Sequence, residues 1–148
     1  MISKTDKVIG CFELVTLPDL HVVHELAKID SGAYSGALHC TDIMIVRRGI
    51  VRKRVLKFTP LGDPSLATET TNFAKTFIRS ATGHRIKRFI IDTIIEIGGE
   101  AYHIRIGLAD RSDMKRSVLI GRRFLRENNL LVDVRINQEH DDEGENTR

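Results

Sequence analysis

Short stretches rich in Val and Ile recur along the chain, and within them side chains alternate with a period of two. That period sends successive residues to opposite faces of a strand, so each stretch predicts a half-buried β-strand. Residues 8–17 form the first, ended by Pro18-Asp19. Residues 22–29 form the second, with Val22, His24 and Leu26 set against Val23, Glu25, Ala27 and Ile29. Runs 37–46 and 50–58 flank the turn signal Arg48-Gly49. Runs 89–97 and 101–108 flank Gly98-Gly99, a strong hairpin cue. One segment departs from this rule. Residues 122–128 (RRFLREN) set Phe124 and Leu125 on one side and charges elsewhere, which predicts a helix of about two turns. Residues 130–134 predict a last short strand. Residues 61–72, with Pro64 and many small polar side chains, predict the longest loop, and a mobile one. The fold class is therefore all-β with one short helix near the C-terminus.

Composition narrows the function classes. A chain of 148 residues, 41% hydrophobic and 29% charged, suits one domain with one core. No apolar run approaches the roughly 18 residues that span a bilayer, so no membrane partner is expected. The start, MISKTDKVIG, lacks a secretory stretch, and Cys11 and Cys40 are too few for a disulfide framework. A cytoplasmic setting is the expectation. Aromatics at 5% and the absence of Trp argue against a nucleic-acid stacking surface. Charge is uneven. Residues 138–148 hold five acids and one base, a net −4, which leaves +7 on the body of a chain whose total is +3. This acidic tail has nothing apolar to bury and is expected to be disordered, with the domain ending at residue 137. Arg47, Arg48, Arg52, Lys53, Arg54 and Lys57 supply much of the positive excess, either as a solvated strand face or as an attractor for an anionic partner.

The stretch that carries chemistry is 27–33, an apolar strand running into Asp30-Ser31-Gly32. Amide hydrolysis by carboxylates needs one to take a proton from water while a second, protonated, donates to the carbonyl oxygen. Two carboxyls a hydrogen bond apart cannot both ionise, so such a pair shares one proton. The carboxylate then belongs at a tight turn where backbone N–H groups and a small hydroxyl fix its plane. Ser31 carries the hydroxyl. Gly32 lets backbone close in and permits positive φ. The same tripeptide also suits an ordinary Asx-type turn after a strand. Further along, residues 117–122 (SVLIGR) run as a strand into Gly-Arg and then the helix.

On these residues the sequence resembles the retropepsin-like aspartic proteases. Asp30-Ser31-Gly32-Ala33 matches the family's Asp-Thr/Ser-Gly-Ala, and Ile120-Gly121-Arg122 its Ile/Leu-Gly-Arg. More narrowly, it resembles the bacterial family usually called ATP-dependent zinc proteases, often encoded beside ATP-grasp ligases. Residues 28–39 (KIDSGAYSGALH), 78–83 (IRSATG) and 108–123 (LADRSDMKRSVLIGRR) carry that match, which spans residues 9–134. Ser31 stands where Thr is commoner, and Ala81-Thr82 where Ser-Asn is commoner. The resemblance implies a closed β-barrel of the acid-protease fold over residues 1–137. It implies Asp30, Ser31 and Gly32 as the catalytic turn, with Ala33 and Tyr34 beside the substrate. It places Arg79, Ser80 and Gly83 in a flap that closes over a peptide, and makes Gly121 and Arg122 the structural brace. Ser35 stands beside these as a further subsite residue or a packing one.

Proteases of this kind need two such aspartates. Asp92-Thr93 is the other Asp-Ser/Thr pair, but Ile94 replaces its glycine inside an apolar run, and a β-branched residue cannot make the same turn. Asp30 is therefore expected to meet Asp30 of a second copy across a two-fold axis. Zinc fits poorly. In His21-Val22-Val23-His24-Glu25 the ligand order of metalloproteases fails and the segment reads as strand, and the neighbours His39 and Cys40 diverge on a strand. No phosphate loop ends in Gly-Lys-Ser/Thr, so no cofactor is expected and any ATP use belongs to a partner. His39 either orients the catalytic loop or is a satisfied strand histidine. Asp110, Arg111, Ser112 and Asp113 suggest a hydrogen-bonded turn with an Arg–Asp pairing. The function expected is an aspartic endopeptidase acting on a peptide or protein substrate. The alternative is a non-catalytic peptide-binding or regulatory module acting with an ATP-grasp ligase.

Overall fold

The computed structural model describes residues 6–79 and 82–141. Eleven strands and one α-helix occur among them: β1 (Lys7–Gly10), β2 (Phe12–Leu17), β3 (Val22–Asp30), β4 (Gly36–Arg48), β5 (Lys53–Pro60), β6 (Thr68–Thr70), β7 (Phe73–Arg79), β8 (Arg85–Ile97), β9 (Glu100–Ala109), β10 (Val118–Gly121), α1 (Arg122–Glu127) and β11 (Leu130–Asp133). The expected alternation is visible in β8, where Phe89, Ile91, Ile95 and Ile97 are buried in steps of two or four. Its partner β9 buries Ile104, Ile106 and Leu108, and Gly98 and Gly99 turn the chain between them at φ 59° and 84°.

Six strands close on themselves in the order β10-β3-β2-β8-β9-β4 and back to β10. The core inside is aliphatic, with Val15, Leu17, Leu38, Ile95, Ile106 and Ile120 among its most buried members. β5 and β6 extend the sheet from β4, β7 pairs with the far half of β8, and β1 runs parallel to β11 as a separate two-stranded sheet. Helix α1 packs Phe124 and Leu125 inward, and Phe124 meets the Tyr102 ring edge-on at 5.7 Å. It ends where Asn129 takes a left-handed φ of 54°. The all-β closed barrel with one short C-terminal helix is the observed architecture.

Four local expectations are corrected. The run 8–17 is two strands, separated by a bend at Cys11 whose N–H and thiol both turn to the Ile136 carbonyl. Ile50 and Val51 do not start β5. They ride the hairpin tip, fully exposed at 103% and 85%, because Gly49 and Arg52 both take positive φ to turn the chain there. Residues 61–72 are not one loose loop. Asp63 Oδ1 accepts from Ser65 N–H at 3.0 Å and caps a 3-10 turn over Pro64–Leu66, and β6 then pairs with β5. The tail expected to be disordered from Gln138 is ordered over its first residues. Gln138–His140 form a 3-10 turn, with the His140 ring 6.0 Å from Phe12 and its carbonyl accepting from Arg116 Nη2 at 2.8 Å. Residues 142–148 lie outside the described residues.

Candidate active site

Asp30 is the last residue of β3, and β10 explains how its loop is held. β10 runs parallel to β3, with Ile120 opposite Ile29 and Gly121 opposite Asp30. Its other edge pairs antiparallel with β4, Leu119 opposite Ala37. It is thus wedged between the two arms of the 31–35 loop. The fit is close enough to exclude side chains. A Cβ at Gly121 would lie 2.6 Å from the Tyr34 carbonyl oxygen, and one at Gly36 would lie 2.6 Å from that of Leu119. Backbone bonds then lace the loop to the helix start. Arg122 N–H donates to Ala33 O at 2.8 Å and Arg123 N–H to Tyr34 O at 3.1 Å. The Arg122 side chain adds a bond from Nη1 to Gly32 O at 3.0 Å, and its guanidinium lies 5.4 Å from the Tyr34 ring.

Within this bracket the Asp30 carboxylate has a fixed plane. Gly32 N–H donates to Oδ1 at 2.9 Å, and Ala33 N–H closes the turn onto the Asp30 carbonyl at 3.2 Å. A Cβ on Gly32 would stand 3.1 Å from that same Oδ1. The glycine is therefore there for proximity. The positive φ that its residue type permits is not used, since Gly32 is absent from the left-handed positions. Ser31 is exposed on the outer side of the turn, and its carbonyl faces Arg122 Nη1 at 3.5 Å.

Asp30 opens into a cleft of about 270 Å³ lined by four cations, Lys28, Arg111, Lys115 and Arg116, by His140 and one further carboxylate, Asp141, and by Leu119 and Phe12 as apolar surface. Lys28 was legible, two residues before Asp30 and hence on the same strand face. The other three arrive on the 110–117 segment between β9 and β10, and no spacing in the sequence couples them to Asp30. That segment is pinned by His39, whose Nδ1 accepts from Arg111 N–H at 2.8 Å. Asp110 makes its turn with Ser112, accepting from N–H at 2.9 Å and Oγ at 2.5 Å, and these bonds hold its carboxyl below the usual range. The expected Arg–Asp pairing is absent, because Arg111 Nε instead donates to Arg116 O at 3.1 Å.

The segment expected to form a flap is the hairpin β7–β8. Gly83 turns it at φ 84°, and Arg79 Nη1 donates across it to Gly83 O at 3.3 Å. Ser80 lies outside the described residues. Beneath the hairpin's base is a larger cavity of about 500 Å³ that Tyr34, Ser35, Thr76, Ile78, Arg88 and Phe124 help to line. Tyr34 is thus brought to the flap, whereas Arg79 lines neither space.

Residues 8–142 match the RimB-like family, described as the retropepsin-like aspartic endopeptidase RimB. The chain belongs to this family. Curated relatives of the RimB-like chain include a probable alpha-L-glutamate ligase of Shewanella pealeana, 29% identical over 134 residues. A second, of Desulfotalea psychrophila and with the same name, is 25% identical over 130. These alignments take in 88% and 86% of this chain but 29% and 28% of the relatives, so it spans less than a third of their length. A solved structure of a Legionella pneumophila protein of unknown function superposes with a TM-score of 0.65 at 24% identity. It covers 87% of this chain and 94% of the other, a likeness of fold.

The remaining candidates fall outside the cleft. Asp92 sits mid-strand on β8 opposite Arg105, whose Nε lies 3.6 Å from Oδ1. The zinc candidates do not fit a metal. Among the described residues no three His, Cys, Asp or Glu side chains gather to hold one. Cys40 is buried, and loss of solvent pushes its thiol up to about 12, the reverse of a metal-ready thiolate. No helix among the described residues is long and apolar enough to cross a membrane.

Proposed function

We propose that this RimB-like chain is an aspartic peptidase that acts as a homodimer, Asp30 of each copy contributing one carboxyl of the dyad. The observation that carries this is the fixed Asp30 carboxylate, held by Gly32 N–H on a loop wedged open by β10 and facing a solvent-filled cleft. With one proton shared, one carboxylate accepts a proton from water as oxygen attacks the scissile carbonyl. The other carboxyl donates to the carbonyl oxygen; as the resulting diol collapses and the C–N bond breaks, the first carboxyl passes its proton to the leaving amine and the second recovers one from a diol hydroxyl, restoring the shared proton. Ser31 and Gly32 belong to that turn, Ala33 and Tyr34 flank the substrate, and the hairpin with Arg79 and Gly83 closes over it as an added strand.

A second copy has an apolar surface to use. Val8, Leu131, Val134 and Ile136 are 41%, 39%, 69% and 40% exposed along the β1–β11 sheet and the turn after it. The four cations around Asp30 favour an acidic peptide as substrate, in keeping with relatives named for glutamate ligation. An ATP-grasp ligase is the partner this suggests. The free thiols of Cys11 and Cys40 suit a reducing cytoplasm.

The test uses wild type, Asp30→Asn and subunit-exchanged mixtures of the two on acidic peptides. Cleavage is expected at acidic pH, absent in Asp30→Asn, and reduced in mixtures beyond simple dilution because mixed dimers hold one competent carboxyl. Undiminished hydrolysis by Asp30→Asn removes the dyad. Binding without cleavage by a dimeric wild type favours the regulatory module instead.

A further inference from the structure

Among the described residues, Arg88 is the arginine of the larger cavity that has no carboxylate beside it. It lies on β8 at the base of the flap hairpin, opposite Thr76 of β7. Its stem lies over Gly107 of β9, where a Cβ would come 2.9 Å from the Arg88 Cδ. Any side chain at 107 would displace it. The guanidinium is half-buried, and no carboxylate among the described residues comes within ion-pairing distance. Its cavity neighbours are different. Arg105 has Asp92 at 3.6 Å, and Arg123 has Glu127 at 2.8 Å. The charged group acting on Arg88 is a second cation, Arg111, which with burial lowers its proton affinity.

A half-buried cation beside another cation is unfavourable unless an anion arrives. The space for one exists, about 500 Å³, with Thr76 offering a hydroxyl and Ile78, Ile90 and Phe124 apolar walls. Tyr34 and Ser35, which follow the Asp30 turn in the chain, line the same cavity as Arg88. A peptide lying under the β7–β8 hairpin and reaching the Asp30 turn past Tyr34 and Ser35 would bring one residue to Asp30 and another to Arg88.

We propose that Arg88 is a specificity-determining residue that binds a carboxylate of the peptide at a position removed from the scissile bond. This rests on the peptidase reading and extends it. The carboxylate has two sources, a Glu or Asp side chain or the peptide's own C-terminus. The planar guanidinium meets either with paired N–H donors.

The experiment measures binding by fluorescence anisotropy in the full-length Asp30→Asn protein, which cannot turn substrate over. The probes are fluorescein-labelled hexapeptides of Glu and of Gln, each as free acid and as C-terminal amide. Arg88→Met is expected to weaken the Glu free acid roughly tenfold or more. Arg88→Lys should retain part of the affinity. If the loss is the same for the Glu amide, the side-chain carboxylate is read. If the loss occurs with the Gln free acid and not with the Glu amide, the terminus is read. Removing an unpaired charge should also raise the thermal midpoint of Arg88→Met, whereas a merely structural arginine would lower it. Equal affinities of parent and Arg88→Met for every probe would overturn the proposal, as would a parallel loss for the Gln amide. With Asp30 intact, absence of turnover bears on the peptidase reading alone, because the binding comparison requires no chemistry.

Discussion

The 31–35 loop and the β7–β8 hairpin border the same cavity, yet they are held by opposite means. The loop is clasped on three sides: β10 fills its gap, α1 takes its carbonyls, and Arg122 bridges Gly32. The described residues near the tip of the hairpin are less covered. Phe77 and Ile86 are 51% and 43% exposed there, and Arg85 stacks on Phe77 at 4.2 Å instead of reaching the barrel. On the proposed reading, a carboxylate that meets its twin needs a fixed position, whereas a strand that admits and releases substrate needs a weak attachment. Rigidity is spent where geometry sets the chemistry.

This contrast is open to direct attack. Gly121→Ala should do most damage, since its methyl meets backbone atoms that cannot swing aside. A loss of about 2–3 kcal/mol by urea unfolding, with turnover abolished, is expected. Arg122→Met comes next. Losing the bond to Gly32 O should cost about 1–2 kcal/mol and lower kcat at least tenfold, read by thermal unfolding and peptide cleavage. An unchanged kcat would mean the backbone lacing suffices. Gly83→Ala should reverse the balance. Nothing lies within 4 Å of the new methyl, but φ of 84° strains it by roughly 1 kcal/mol. Global stability should barely move while turnover falls several-fold.

The smallest effect probes a site away from both regions. Arg135 holds the Asp133 carboxyl down from 3.8 to about 2. The unfolded chain therefore binds this proton at higher pH than the folded one. The contribution is complete above 3.8 and fades as pH falls towards 2. Asp133→Asn should flatten the pH dependence of the thermal midpoint in that window alone, by a small amount at so exposed a pair.

What the sequence made legible follows the range of the interactions. Alternation over 89–97 and 101–108 with Gly98-Gly99 between them is local, and the hairpin appears as expected. Asp30-Ser31-Gly32 and Ile120-Gly121-Arg122 were recognisable as motifs. That Gly121 would stand opposite Asp30 came through the resemblance, since no period connects residues so far apart. Ile50 and Val51 were misplaced because apolar residues at a tip look like the start of a strand until the left-handed positions beside them are known. Arg111 and Arg116 were not connected to Asp30 for a different reason. Their place beside Asp30 depends on how β10 crosses the barrel, a tertiary fact with no local signature.

That crossing also sets an order of events during synthesis. The Asp30 turn leaves the ribosome early, but the strand that props it open follows only after β9, and β1 must wait for β11 before it pairs at all. Until then the nascent chain carries a half-formed barrel with a missing stave, unable to position its acid. Translation therefore completes the bracket around Asp30 only after most of the described strands have emerged, a sequence of events written into strand order.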